Sequence, residues 1–362
     1  MASDDQIARL LLIRSDNIGP VTYFQLLARF GSAAAAIAAI PDLAARGGGR
    51  APKLAPRALV EREIERVAEL GARYLFLGQG LYPPLLAELE TAPPALVVKG
   101  QISLLDKPAI AMVGARNASA AACRFARTLA QDLGSAGAVI VSGLARGIDT
   151  AAHDGSLETG TIAVIAGGID AAYPPENAER QRAIASQGLL IAEQPPGVEP
   201  RARHFPYRNR IIAGLSHGTV VVEAAPNSGS LITARFATEF GREVMAVPGS
   251  PLDPRARGCN QLIRDGATLV QNAEDVLEAI QPFKLRPLAQ KSLDYTAPAA
   301  SADADEAERR IVLDLLSPTP VAVDEIIRQS SFSPAIVQTV LLELELAGRL
   351  ERHAAGRVSL AA

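Results

Sequence analysis

Between residues 74 and 282 the chain alternates short apolar runs with amphipathic stretches, and this alternation constrains the fold more than any other feature. Candidate strands are Leu96–Lys99, Ala109–Val113, Ala138–Val141, Thr161–Ile165, Leu189–Ala192, Thr219–Glu223, Glu243–Val247 and Thr268–Val270. Helical patterns separate most of them, at 118–135, 149–158, 176–186, 206–216, 230–240 and 273–280. Strands that are apolar throughout and joined by helices predict an α/β fold with a doubly wound, mostly parallel sheet. Such sheets bind ligands outside the carboxyl ends of their strands.

The strand ends carry the candidate chemistry. Val139-Ile140-Val141 stops at Ser142-Gly143, and a helical pattern opens after Arg146-Gly147-Ile148-Asp149. A turn at a helix start aims backbone N–H groups outward, with the positive end of the helix dipole behind them, so an anion is expected there. Arg146 adds a planar, permanently charged fork suited to phosphate. Gly114-Ala115-Arg116, Ala166-Gly167-Gly168 with Tyr173-Pro174, and Pro248-Gly249-Ser250 follow other strands. Glu193 leads into His204-Phe205-Pro206-Tyr207-Arg208-Asn209-Arg210, and Asn227-Ser228-Gly229-Ser230 is a second turn onto a helix. In a parallel sheet these segments share one rim. The spacing matches neither a Walker A loop nor a dinucleotide fingerprint, which disfavours nucleoside triphosphate hydrolysis and hydride transfer.

The rim is rich in binding groups and poor in acid–base pairs. Asp149 and His153 are spaced i, i+4 without further ligands, so a helix-capping Asp and a packed His are preferred to a metal site. Glu223 at a strand end could serve as a general base, but bonds to Arg side chains or turn N–H groups are the favoured reading. Ser142 and Ser230 have no His base nearby in sequence. No catalytic residue, metal or cofactor is expected. Cations and N–H groups for a backbone, with Phe205, Tyr207 and Tyr173 as stacking faces, suit single-stranded nucleic acid. The net charge of −3 supplies no global basic field, so any anion site is local. Two cysteines, Cys123 and Cys259, are too few for a disulfide scaffold or zinc site, and a reducing cytoplasm is expected. No signal pattern or membrane-length apolar run is seen, and no membrane association is expected.

Four segments are expected: a helical domain at 1–75, the core at 76–282, a linker rich in Pro, Ala, Ser and Asp at 283–304, and a last domain at 305–362. In the first, two helical patterns flank Asn17-Ile18-Gly19-Pro20, resembling a helix-hairpin-helix or sterile-alpha-motif-like unit. Thr22 stands where a basic residue would help, so packing is favoured over DNA contact. In the last, helical patterns at 305–316, 323–329 and 334–347 precede a hairpin of 348–352 with 357–360, resembling a winged helix. From Ser333 to Ala347 its third helix has no Lys or Arg and carries Glu343 and Glu345. Docking or self-packing is therefore expected of it, rather than entry into the major groove.

The core motifs resemble the DNA-processing protein A family (DprA, also called Smf). The resemblance rests on Ser142-Gly-Leu-Ala-Arg-Gly-Ile-Asp149 with Ala152-His153, and on Phe205-Pro206-x-Arg208-Asn209-Arg210-Ile211-Ile212. It also rests on Ser228-Gly229-Ser230-Leu231-Ile232-Thr233, Val247-Pro248-Gly249 and Gly258-x-Asn260-x-Leu262-Ile263, and spans residues 80 to 282. It implies an extended Rossmann-like core and a non-enzymatic homodimer. Such a protein binds and protects incoming single-stranded DNA during natural transformation and helps load the RecA recombinase. It further implies a DNA-binding pocket of Gly114, Arg116, Ser142, Gly143, Arg146, Gly147, Arg208, Asn209, Arg210, Ser228, Gly229 and Ser230. A dimer seam is expected near Gln261 to Val270, where a short terminal strand can pair with its copy. The alternative is a nucleotide-processing enzyme using Glu223, or a nucleotide-sensing module.

Overall fold

The computed structural model describes residues 3–284, 303–353 and 356–361. Chain contacts divide them into two compact units, one of residues 65–284 and the other of residues 3–64 with 303–361.

The larger unit is built on a sheet with nine strands among the described residues. They are β1 (Arg73–Phe76), β2 (Ala95–Gly100), β3 (Ala109–Gly114), β4 (Val139–Ser142), β5 (Thr161–Ile165), β6 (Leu189–Ala192), β7 (Gly218–Val222), β8 (Glu243–Ala246) and β9 (Thr268–Leu269). Their spatial order is β1-β2-β6-β5-β4-β3-β7-β8-β9. Every pairing from β6 across to β9 is parallel. β1 with β2 and β2 with β6 are antiparallel. The fold is thus the expected mostly parallel α/β sheet, with two antiparallel strands at one edge. β1 had no strand signal in the sequence: it is four residues long and only its second half is buried.

Successive side chains on a strand point to opposite faces, so a parallel strand covered on both sides must be apolar throughout. Ile110 and Met112 on β3, with Ile140, Val220 and Met245, pack under helices Ala120–Ser135, Ile148–Ser156 and Ala273–Lys284. Farther along the same face Ala163, Ile165, Leu190 and Ala192 pack with Leu144 and Ile184. The alternate residues Ala111, Val141, Ile162 and Val164, on the opposite face, are buried as well. The chain order reverses at β3, which has β4 on one side and β7 on the other. This reversal opens a crevice beyond the carboxyl ends of β3 and β7, the usual ligand position in open α/β sheets.

The second unit joins three N-terminal helices, Asp4–Ile13, Pro20–Phe30 and Ala33–Arg46, to the C-terminal segment. That segment has helices Glu306–Asp314, Val323–Ser330 and Pro334–Leu346, and strands β10 (Val321–Ala322), β11 (Leu350–His353) and β12 (Arg357–Leu360). The strand order is β10-β12-β11, and Leu350 pairs with Leu360 in the expected hairpin. This is a winged helix. Most of the expected linker at 283–304, residues 285–302, lies outside the described residues. Among the described residues no single helix is long and apolar enough to cross a membrane.

Candidate nucleic-acid interface

The turn after β4 is pinned from inside. Ser142 is fully buried, and its Oγ donates to Met112 O at 2.6 Å, bolting β4 to β3. Gly143 N and Ala145 N both donate to Asp149 Oδ2, at 3.1 and 3.2 Å. The expectation of N–H groups free for an anion is corrected here: a carboxylate of the chain itself takes two of them. Burial raises the Asp149 pKa, against the opposing pull of Arg208 and the two N–H bonds. Asn177 Nδ2 donates to Leu144 O at 2.9 Å, and Thr150 Oγ1 donates to Ala145 O at 2.8 Å. Gly147 sits at φ +71°, and a Cβ there would lie 2.2 Å from Ala115 O, so this crossing under the β3 loop requires glycine.

His153, one turn along the same helix, is buried with Nδ1 2.7 Å from Thr161 Oγ1. Burial, with Arg180 and Arg208 adding to it, pushes its pKa down to about 3. It is a packed neutral histidine, as the sequence suggested.

The arginines of helix His204–Gly214 divide from those of the loops. Arg208 is buried, and its Nη1 donates to Gly143 O and, at 2.6 Å, to Val164 O. Burial lowers its pKa to about 10, which leaves it charged at neutral pH. Arg208 is therefore chiefly a brace between β5 and the β4 turn. Arg210 is also buried and donates to Glu193 Oε1 at 2.5 Å, so it does not reach the rim. The reason is packing: from Arg210 to Gly214 this helix is enclosed on all sides. Arg116 and Arg146, on loops, are exposed. The Arg116 guanidinium carbon lies 5.3 Å from the Phe205 ring centroid, and the Phe205 and Tyr173 centroids are 5.6 Å apart. Arg146 pairs with Glu176.

The turn after β7 makes the opposite wall. Ser228 caps helix Gly229–Glu239, and its Oγ lies 2.8 Å from Ser230 Oγ. Asn209 Nδ2 donates to Gly229 O at 3.3 Å, tying the two helices together. Glu223 sits at φ +56°, and its carboxylate accepts from Ser119 N at 3.0 Å and Ser119 Oγ at 2.6 Å. Arg255 Nε stands 3.3 Å from the same carboxylate. Glu223 is thus an anchor for the β3 loop, as favoured from sequence, and its oxygens are occupied.

Two adjoining hollows result. One, of about 310 Å3, is lined by Arg116, Gly143, Arg146, Tyr173, Phe205 and Arg208. The other, of about 530 Å3, is lined by Gly114, Asp149, Asn209, Ser228, Gly229, Ser230 and Arg255. Arg116, Phe205 and Arg208 line both. The structure thus gathers nine of the twelve expected residues around one crevice, and leaves Ser142, Gly147 and Arg210 behind its walls as supports. Sequence reasoning left Asn117, Asp149, Asn177 and Arg255 out of the site. Asp149 carried a capping signal, whereas Arg255 comes in on the loop after β8 without any local mark. Among the described residues no group of three or more His, Cys, Asp or Glu could hold a metal. The crevice offers a cation, hydroxyls, amides and aromatic faces, and its lining carboxylate, Asp149, is already bonded.

Comparisons agree with this architecture. Residues 73–281 match the family described as DNA recombination-mediator protein A, residues 3–65 a DprA-like N-terminal HHH domain, and residues 296–356 a DprA winged helix domain. A Synechocystis protein named Smf is 31% identical over 98% of both chains. The Escherichia coli Smf protein is 38% identical, over 84% of this chain and 82% of its own. The crystal structure of Streptococcus pneumoniae DNA processing protein A superposes with TM-score 0.58 at 42% identity, covering 62% of this chain and 78% of that one. A Helicobacter pylori DNA processing protein A structure, described for its single-stranded DNA binding mode, superposes with TM-score 0.53 at 29% identity, covering 59% and 96%.

Proposed function

The chain belongs to the DprA/Smf family of DNA recombination mediators, and on that premise we propose that it binds and protects single-stranded DNA, then helps load the RecA recombinase on it. Arg116, at the wall common to both hollows and beside the Phe205–Tyr173 pair, is the observation that carries this reading. A single strand needs a cation for its phosphates and ring faces for its unstacked bases, and this crevice sets the two side by side. The Helicobacter pylori relative's single-stranded DNA binding supports the same ligand.

The protein acts as a binder without turnover, since Asp149 and Glu223 are both engaged in backbone or side-chain bonds. Two copies pair through the edge strand β9, where Leu269 is exposed. The setting is the cytoplasm. The test is a competition titration: a labelled single strand should be displaced by unlabelled single strand far better than by duplex, and binding should weaken as salt rises. Equal competition by duplex, or binding indifferent to salt, would remove the proposal. Release of base or phosphate from nucleotides, abolished in Glu223→Gln, would favour the enzyme instead.

A further inference from the structure

The two segments that flank the core in sequence form one compact unit, and the third winged-helix helix is where they meet. In helix Pro334–Leu346 every residue from 337 to 346 is buried except Gln338 and Glu345, which are half-buried. Val337, Val340, Leu341 and Leu344 face the winged-helix core. Leu342 and Leu346 instead join Tyr23, Leu26 and Leu43 of the N-terminal core. Glu343 is fully buried and satisfied by Arg309, at 2.8 and 3.1 Å.

A polar border surrounds that apolar contact. Gln25 Nε2 donates to Gln338 Oε1 at 2.7 Å, Arg29 Nη1 to Thr339 Oγ1 at 3.2 Å, and Arg349 Nη1 to Gly47 O at 2.9 Å. Arg29 and Arg46 both reach Asp303 Oδ1, at 2.5 and 2.9 Å. The backbones approach so closely that a Cβ on Gly47 would lie 2.1 Å from Glu343 O, and one on Gly49 2.4 Å from Ala347 O.

We infer that the third helix of this winged helix is a protein-docking surface whose partner is the chain's own N-terminal helical domain, and that duplex DNA is not its ligand. A helix that reads the major groove presents cations and hydrogen-bonding side chains to base edges. This helix presents leucines to another domain, and from Ser333 to Ala347 it has neither Lys nor Arg to present if that domain left. The flanking segments are then one module, and the core is an insertion between them in sequence.

Two experiments on the full chain test this. The first places Gln25→Cys and Gln338→Cys in a Cys123→Ser background and treats the protein with a short bismaleimide; native Cys259 is buried. A link between positions 25 and 338 within one chain is expected. Failure to link them, or a link formed only between two chains, overturns the inference. The second uses Gly47→Ala, whose backbone at φ −70° suits alanine, so that the added methyl acts on Glu343 O and not on its own helix. Amide exchange in residues 334–346 should quicken about tenfold as the contact opens, with duplex affinity unchanged. Arg349→Ala, which removes the donor to Gly47 O, should act in the same direction more weakly. Unaltered exchange in both variants, or a several-fold gain in duplex affinity in either, overturns it; the gain would mark a masked DNA reader.

Discussion

Asp149 holds Gly143 N at 3.1 Å with the same carboxylate oxygen, Oδ2, that accepts from Ala145 N. One oxygen thus shapes the loop that carries Arg146. An amide oxygen can fill the same position, which separates the geometry of this contact from its charge. Asp149→Asn should cost about 1–2 kcal/mol in chemical denaturation, within the range for charge-assisted bonds that become neutral. Asp149→Ala should cost roughly 3–5 kcal/mol, because it frees two N–H groups and leaves Arg208 buried without its carboxylate neighbour. Equal losses in the two variants would show that charge alone matters there.

Arg116 and Arg208 line the same hollows yet should fail differently. Arg116 is exposed, so Arg116→Ala should lower single-strand affinity, flatten the slope of log K against log salt by about 0.7, and leave the melting temperature near wild type. Arg208→Ala should melt earlier, losing roughly 2–5 kcal/mol, since Gly143 O and Val164 O lose a buried donor and Asp149 a buried cation. Parallel salt titrations and thermal melts of the two variants make the comparison.

Phe205 touches both hollows, and Tyr173 is 48% exposed beside it. If bases stack on this pair, Phe205→Ala and Tyr173→Ala should each weaken single-strand binding by about 1–3 kcal/mol. Phe205→Leu should recover fold but little affinity, and fluorescence anisotropy with a labelled oligonucleotide reads the difference.

Two buried groups give opposite pH dependences. The folded-state pKa of His153 is depressed to about 3, from an ordinary 6.5. Its contribution is therefore complete above pH 6.5 and is lost as pH falls towards 3, with a limiting slope of about 1.4 kcal/mol per pH unit. Asp149 has a raised pKa, so its contribution is complete below the ordinary carboxylate value and is lost as pH rises through the folded one. Between pH 7 and pH 5 the His153 effect should cost about 2 kcal/mol in urea denaturation. His153→Gln, which can still meet Thr161 Oγ1, should flatten that decline; an unchanged decline would place the titrating group elsewhere.

The amino-acid order by itself determined most of the elements and their kind, though the short β1 and the helix Arg257–Arg264 carried no such signal. Apolar runs, helical spacing and Gly-rich turns are local signals, so the parallel strands, most of the helices between them and the winged-helix hairpin were legible from it. So was the clustering of Arg116, Arg146, Asn209 and Ser228, because loops at the carboxyl ends of parallel strands must meet on one side. Only the tertiary structure decided which arginines face solvent. Arg208 and Arg210 read as equals of Arg116 in sequence, but they sit on a helix enclosed by its neighbours. Tertiary structure also set Glu223 against Ser119, 104 residues away, and Gln25 against Gln338, 313 residues away. Such pairings leave no trace in local periodicity, because they depend on which surfaces the folded elements bring into contact.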